Sequence, residues 1–104
     1  MIIAAAALAY LSCTIPTKHD PELLMIAADE ANQIATITWP RWKITSREPA
    51  TFAADWLSIN SGFSTYRINR STLVLERDTR MAGAKPKNEV GVCTVSPAPA
   101  DRKF

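Results

Sequence analysis

The chain has 104 residues, enough for one modest hydrophobic core and too few for two. Its 47% apolar and 21% charged content is that of a globular domain, and a formal net charge of +2 excludes the strongly basic balance of a dedicated nucleic-acid binder. The charge is uneven: residues 1–60 carry four Lys/Arg against six Asp/Glu, and residues 61–104 carry eight against four. That polarity is compatible with an anionic partner, although surfaces often divide their charge this way without function.

The chain opens on MIIAAAALA, an uncharged run in which Ala7-Leu8-Ala9 has the small-x-small form of a signal-peptidase site. Residues 1–9 are therefore expected to be a signal peptide. Two features depart from the usual leader: no Lys or Arg precedes the apolar run, and the run is short. A start site upstream of Met1 accounts for both. The competing expectation is that residues 2–11 form a buried strand or helix of a cytosolic domain. No segment is long and apolar enough to span a bilayer as a helix. The two cysteines, Cys13 and Cys93, stand near opposite ends of the chain. In a reducing cytosol they would be separate buried thiols; in an oxidising compartment they would pair. With the leader, the second reading is preferred, and the protein is expected to be exported, periplasmic or extracellular. A bridge between them would close a loop of roughly 80 residues, worth on the order of 4 kcal/mol in a chain-entropy account.

In chain order, LAYLSCTI (8–15) reads as a first strand ended by Pro16, and TKHDP follows as a polar turn. Residues 22–39 admit two readings. Asp20 as N-cap, Pro21 at the first helical position and Glu22 in the first turn suit a helix over about 21–35, which would make the chain α+β. The other reading is a hairpin of LLMIAA, a polar turn DEANQ and IATITW. Ala35, Ile37 and Trp39 alternate with Thr36 and Thr38 as a half-buried strand requires, and this reading is preferred. Pro40 ends that strand and RWKITS makes a short one. Thr45 and Glu48 have capping-box spacing, which predicts a helical turn in SREPATF before a strand near Asp55–Asn60. Asn60-Ser61-Gly62 is a turn. Beyond it FSTYRIN alternates, Asn69–Thr72 turns, LVLER returns, TRMAGAKPKN is a basic loop, and EVGVCTV closes the domain with Cys93. Six or seven strands with frequent turns predict a mainly β domain, a small antiparallel barrel or sandwich of meander type closed by one disulfide. The domain spans 10–95, and 96–104 is a Pro-containing basic tail.

The segments YRINRSTLVLER, VGVCTV and RKF together resemble a loose group of small uncharacterised bacterial and phage-associated proteins. That group carries a Tyr-x-Ile-x-Arg-x-Thr hairpin, a Gly-x-Cys strand and a basic tail ending in Lys-Phe, here Tyr66, Ile68, Arg70, Thr72, Gly91, Cys93, Arg102, Lys103 and Phe104. An Asp-x-x-Asn hairpin turn often lies upstream in the group, and Asp29 to Asn32 is similar to it. The resemblance covers about the last 80 residues and implies the fold, with no activity attached. The chain departs from it at Leu73, where a Gly is more usual, which leaves the turn type open.

The residues offer little chemistry. His19 is the only histidine and sits in a turn, so a zinc site would need ligands that no Cys/His spacing supplies. Cys13 with His19 is the one conceivable nucleophile–base pair, and nothing is placed to orient the imidazole. The carboxylate pairs Asp20/Glu22, Asp29/Glu30 and Glu76/Asp78 lack an apolar pocket that would hold one protonated. No glycine-rich phosphate loop is present, and no catalytic, metal or cofactor residue is assigned. The Asn69-Arg70-Ser71 sequon would carry no meaning in the bacterial setting that the resemblance implies. The most distinctive cluster is WPRWK, where Trp39, Arg41, Trp42 and Lys43 interleave rings with cations. Packing is the preferred reading of this cluster; the other is a binding face, with one tryptophan in the core and the other exposed as an interface anchor. Arg67 and Arg70 join the candidate interaction surface, and with Arg77, Arg80, Lys85 and Lys87 they could line a basic edge, where cations also deter strand-edge aggregation. The expected function is a non-enzymatic exported domain that binds another macromolecule, most readily a protein, as an inhibitor or adaptor. Its layout is analogous to small disulfide-closed periplasmic barrels that inhibit lysozymes, without their motif residues. The alternative is a cytosolic phage-accessory or nucleic-acid-associated protein using the basic C-terminal half.

Overall fold

A computed structural model describes residues 8–96, and the fold is all β, as expected. The strands are β1 (Leu8–Ile15), β2 (Glu22–Asp29), β3 (Ile34–Trp39), β4 (Ile44–Phe52), β5 (Trp56–Ser61), β6 (Ser64–Asn69), β7 (Val74–Thr79) and β8 (Lys87–Ser96). Each pairs antiparallel with its neighbour in sequence, and β8 returns to β1 to close an eight-stranded barrel. The tail lies outside the described residues except for Ser96, and so do residues 1–7 of the expected leader. Leu8 and Ala9 begin β1 opposite Asp29 and Ala28, so cleavage after Ala9 would start the first strand at Tyr10.

Period-two alternation explains the core. Leu11, Cys13 and Ile15 of β1 face inward beside Leu24, Ile26 and Ala28 of β2, and Ile37, Ile59, Ile68 and Leu75 fill the centre from the far side. Arg47, Arg67, Glu76 and Asp78 project from the outer wall of β4, β6 and β7. The apolar interior is the reverse of the polar lumen of a lipid-embedded barrel. Among the described residues no helix is long and apolar enough to cross a membrane.

The helix considered over 21–35 is not formed. Its residues make β2 and β3, with Leu23 and Met25 left on the outer wall so that Leu24, Ile26 and Ala28 can face inward. The turn between them is fixed by Asp29, whose carboxylate accepts from the Asn32 backbone N–H (3.3 Å) and side-chain amide (2.8 Å). The helical turn expected at Thr45–Glu48 is also absent, because both side chains are engaged across strands. Thr45 Oγ1 lies 3.2 Å from Thr38 Oγ1, and the Glu48 carboxylate accepts from Ser46 and Ser61. One long strand, β4, stands there; the short strand expected at RWKITS starts only at Ile44, since Arg41–Lys43 form a turn.

Pro49 divides β4. Residues Ile44 to Pro49 pair with β3, whereas pairing with β5 starts at Ala50. Proline has no N–H to offer, which is why it sits where the ladder changes partner. The Glu48–Ser61 bond (2.9 Å) spans the gap that this leaves. Three hairpin turns end on a residue of positive φ, namely Gln33 (53°), Lys43 (54°) and Leu73 (63°). A left-handed last residue brings a four-residue turn back into a twisted ladder. Leu73 occupies the position that favours glycine, and it remains there because its side chain packs against the core.

Closure rests on the β1–β8 seam. Cys13 and Cys93 are direct partners across it with Cα atoms 4.0 Å apart, and they form a disulfide that is 1% and 5% exposed at its two residues. Next along β8, Gly91 lies against Thr14 and Ile15 so closely that a Cβ would strike the Thr14 carbonyl oxygen. Replacing both cysteines by alanine is expected to lower unfolding free energy in a urea titration by about 2–5 kcal/mol. Gly91→Ala, with the disulfide intact, should cost about 1–3 kcal/mol in the same titration, because one backbone must move off the other.

Candidate functional site

In an up-and-down barrel alternate loops share an end. The loops 16–21, 40–43, 62–63 and 80–86 therefore cluster at one mouth, and 30–33, 53–55 and 70–73 at the other. The first mouth is polar on its floor. Parity along β7 places Arg77 inward after Leu75, with Glu22 of β2 and Glu89 of β8 also pointing in. Because β1 stops at Ile15, Glu22 reaches across its end to β7.

Arg77 Nη1 and Nη2 donate to the two Glu22 oxygens at 2.7 and 3.0 Å, and Nε donates to Glu89 Oε1 at 2.9 Å. Its side chain is 11% exposed, and its guanidinium carbon lies 6.0 Å from the Tyr66 ring centroid. Burial alone would disfavour the Arg77 cation, but hydrogen bonds with Glu22, Tyr66 and Glu89 outweigh it and raise its pKa. The Arg77 hydrogen bond, against the opposing effect of burial, holds the Glu22 carboxyl below its ordinary value, with Trp39 adding a weaker bond. Burial pushes the Tyr66 hydroxyl up. Lys87 Nζ stands 3.8 Å from Glu89, so each of the two carboxylates lies against a cation. Together the four side chains form an ion cage. A basin of about 710 Å³ opens above the cage, bounded by Pro16 to His19, Glu22, Arg77, Lys87 and Glu89.

The rim around this floor is apolar at its tips. Trp42 is 61% exposed on the β3–β4 turn, Phe63 65% on the β5–β6 turn, and Met81 50% on the β7–β8 loop. The loops that carry or flank them hold five cations (Lys18, Arg41, Lys43, Arg80, Lys85) against one carboxylate, Asp20. Arg41 bonds Asp20 at 2.9 Å and lies 5.7 Å over the Trp42 ring, tying two rim loops together. At the opposite mouth no loop residue, among those described, is an exposed large apolar side chain.

The expected interaction residues are divided by the fold. Trp39, Arg41, Trp42 and Lys43 share the polar mouth, with Trp39 half-buried against the core and Trp42 exposed. Arg67 stands on the outer wall of β6, 4.2 Å over the Trp56 ring. Arg70 belongs to the far mouth, where it bonds Glu30 (3.1 Å) and the Ala53 carbonyl (2.7 Å) and lies over Phe52. His19 is an exposed loop residue whose backbone N–H bonds Thr17 Oγ1 at 3.1 Å. No group of three metal-ligating side chains occurs among the described residues. Phe63 and Met81 were not singled out by sequence reasoning, nor was the Glu22–Arg77–Glu89 cage. For Arg77, the alternation continuing from Leu75 was the available signal. No family model, curated protein or solved structure matches the chain.

The cage links stability to pH. Glu22 is lowered in the folded state from 4.5, so its contribution is complete above about pH 4.5 and is lost as pH falls through the folded value. Glu22→Gln should therefore unfold more readily than the parent at neutral pH and show a shallower loss of stability between neutral and strongly acid pH, read by urea titration at each pH.

Proposed function

We infer that the protein is a non-enzymatic, exported β domain that binds another protein through its polar mouth, as an inhibitor or adaptor. The observation that carries this reading is the clustering of Trp42, Phe63 and Met81 at the tips of three loops on one end of the barrel. Exposed aromatic and Met side chains ringed by cations have the composition of interface anchors, which enter pockets of a partner while the charges select an acidic surround. Single apolar side chains on three loops suit pockets on a folded protein better than a continuous phosphate backbone, which favours protein over nucleic acid.

Export is supported by the disulfide, since a structural bridge persists in an oxidising compartment and is rare in a reducing one. A non-enzymatic role is supported by the state of the candidate groups. Both cysteines are bonded to each other, and Glu22 and Glu89 are committed to Arg77.

The test begins with cross-linked capture of a partner from the exported fraction of the native host by the oxidised full chain, followed by affinity measurement on the captured protein. Trp42→Ala is expected to weaken that binding about 30-fold or more, as a hot-spot residue does. Thr72→Ala at the far mouth should leave it unchanged. Binding that is insensitive to Trp42→Ala and Phe63→Ala, or cysteines that alkylate in the host without reductant, would overturn the reading. Salt-sensitive binding to duplex DNA in place of a protein would favour the cytosolic alternative.

A further inference from the structure

The outer wall of the barrel is unevenly charged. Arg47, Arg67, Glu76 and Asp78 occupy β4, β6 and β7, whereas the outward side chains of β8, β1 and β2 over their shared rows carry no formal charge. The register makes these rows continuous. Leu23 lies beside Thr14, which lies beside Val92; Met25 lies beside Ser12, which lies beside Thr94. Leu23 is 53% exposed, Met25 40%, Val90 55% and Val92 60%, so aliphatic surface stands in water on a strip along the wall, whose Leu23 end reaches a rim pocket shared with Asp20, Arg41 and Trp42. The strip has no free strand edge, because every strand of the closed barrel is paired on both sides.

We propose that this β8–β1–β2 wall is the contact face of a homodimer, with a second copy of the chain seated on the same strip about a two-fold axis. Two observations select a copy of the chain as the occupant. A two-fold contact sets a face against itself, so any charge on it meets its like; this strip, bearing only aliphatic and hydroxyl side chains, can be self-apposed without repulsion. Its size fits a reversible dimer. Three strands about 4.8 Å apart, with three outward residues each at a repeat of about 7 Å, give a flat patch of roughly 300 Å² per copy. Side-chain relief and the flanking Thr38 and Val74 bring the pair to on the order of 1,000 Å², the lower bound of a specific interface. The proposal is independent of what the polar mouth binds. Because the strip runs along the wall, both mouths of the dimer stay open, and the assembly presents two binding ends.

Sedimentation velocity on the oxidised full chain tests it. The mass is expected to rise from 11.4 kDa toward twice that value between low- and high-micromolar concentration. Val92→Lys should stay monomeric over that range with an unchanged circular dichroism spectrum, as should Met25→Glu, which guards against misfolding of either. A wild-type chain that remains monomeric throughout overturns the proposal, as does association retained in both variants. Association abolished by Trp42→Ala and untouched by Val92→Lys would move the contact to the mouth and overturn it equally.

Discussion

Everything in this barrel depends on β1 being held between β2 and β8. Seven of the eight strand pairings join neighbours in sequence and form locally; only β1 with β8 joins the two ends of the domain. That one pairing excludes water from the centre and removes the last free edges. It rests on two adjacent features of β8: a glycine that lets the backbone lie against Thr14, and a cysteine bonded to its partner on β1. The ion cage is a second consequence. Arg77 and Glu89 already face each other in the β7–β8 hairpin, and Glu22 of β2 joins them only once the seam is shut.

The two mouths have different physics. At one, strand parity turns Glu22, Arg77 and Glu89 inward, where acid and base pair with each other. The rim above it carries cations and apolar tips. At the other, Arg70 ties Glu30 to the Ala53 carbonyl, and Asn69 Oδ1 accepts from the N–H groups of Ser71 and Thr72 (both 2.9 Å). That end spends its polar groups on its own turns, beside an apolar pocket lined by Phe52, Leu57, Leu73 and Val95.

The fold was legible where alternation and turn chemistry agreed. Tyr66 and Ile68, then Leu75, point inward as the C-terminal pattern implied, and Asp29 to Asn32 makes the turn that the resemblance implied. The first arm of the β2–β3 hairpin was not decisive, because Leu23, Leu24, Met25 and Ile26 are all apolar and a periodicity cannot be read from them. β4 was obscured by Pro49 and by a Thr45–Glu48 spacing whose side chains bind neighbouring strands instead of a helix terminus. At the mouth, Trp42 announced itself by composition. Phe63 did not, since a single apolar residue after Gly62 reads as the start of a strand; its exposure follows from the tight β5–β6 turn. The cage was illegible because Glu22 stands 55 residues from Arg77 and meets it only through closure, while the Arg77–Glu89 pairing depends on a β7–β8 register hidden by the long loop between them.

The depth of the sulfurs has a consequence for how the molecule ages. Once the seam is shut, neither sulfur presents a surface to a thiolate, so exchange with small thiols must wait for an excursion that parts β1 from β8. Oxidation, by the same reasoning, belongs to the interval before the last strand docks. The bridge is thus a record of the surroundings in which the chain folded, and the closed barrel carries that record unaltered into any later environment that leaves it intact.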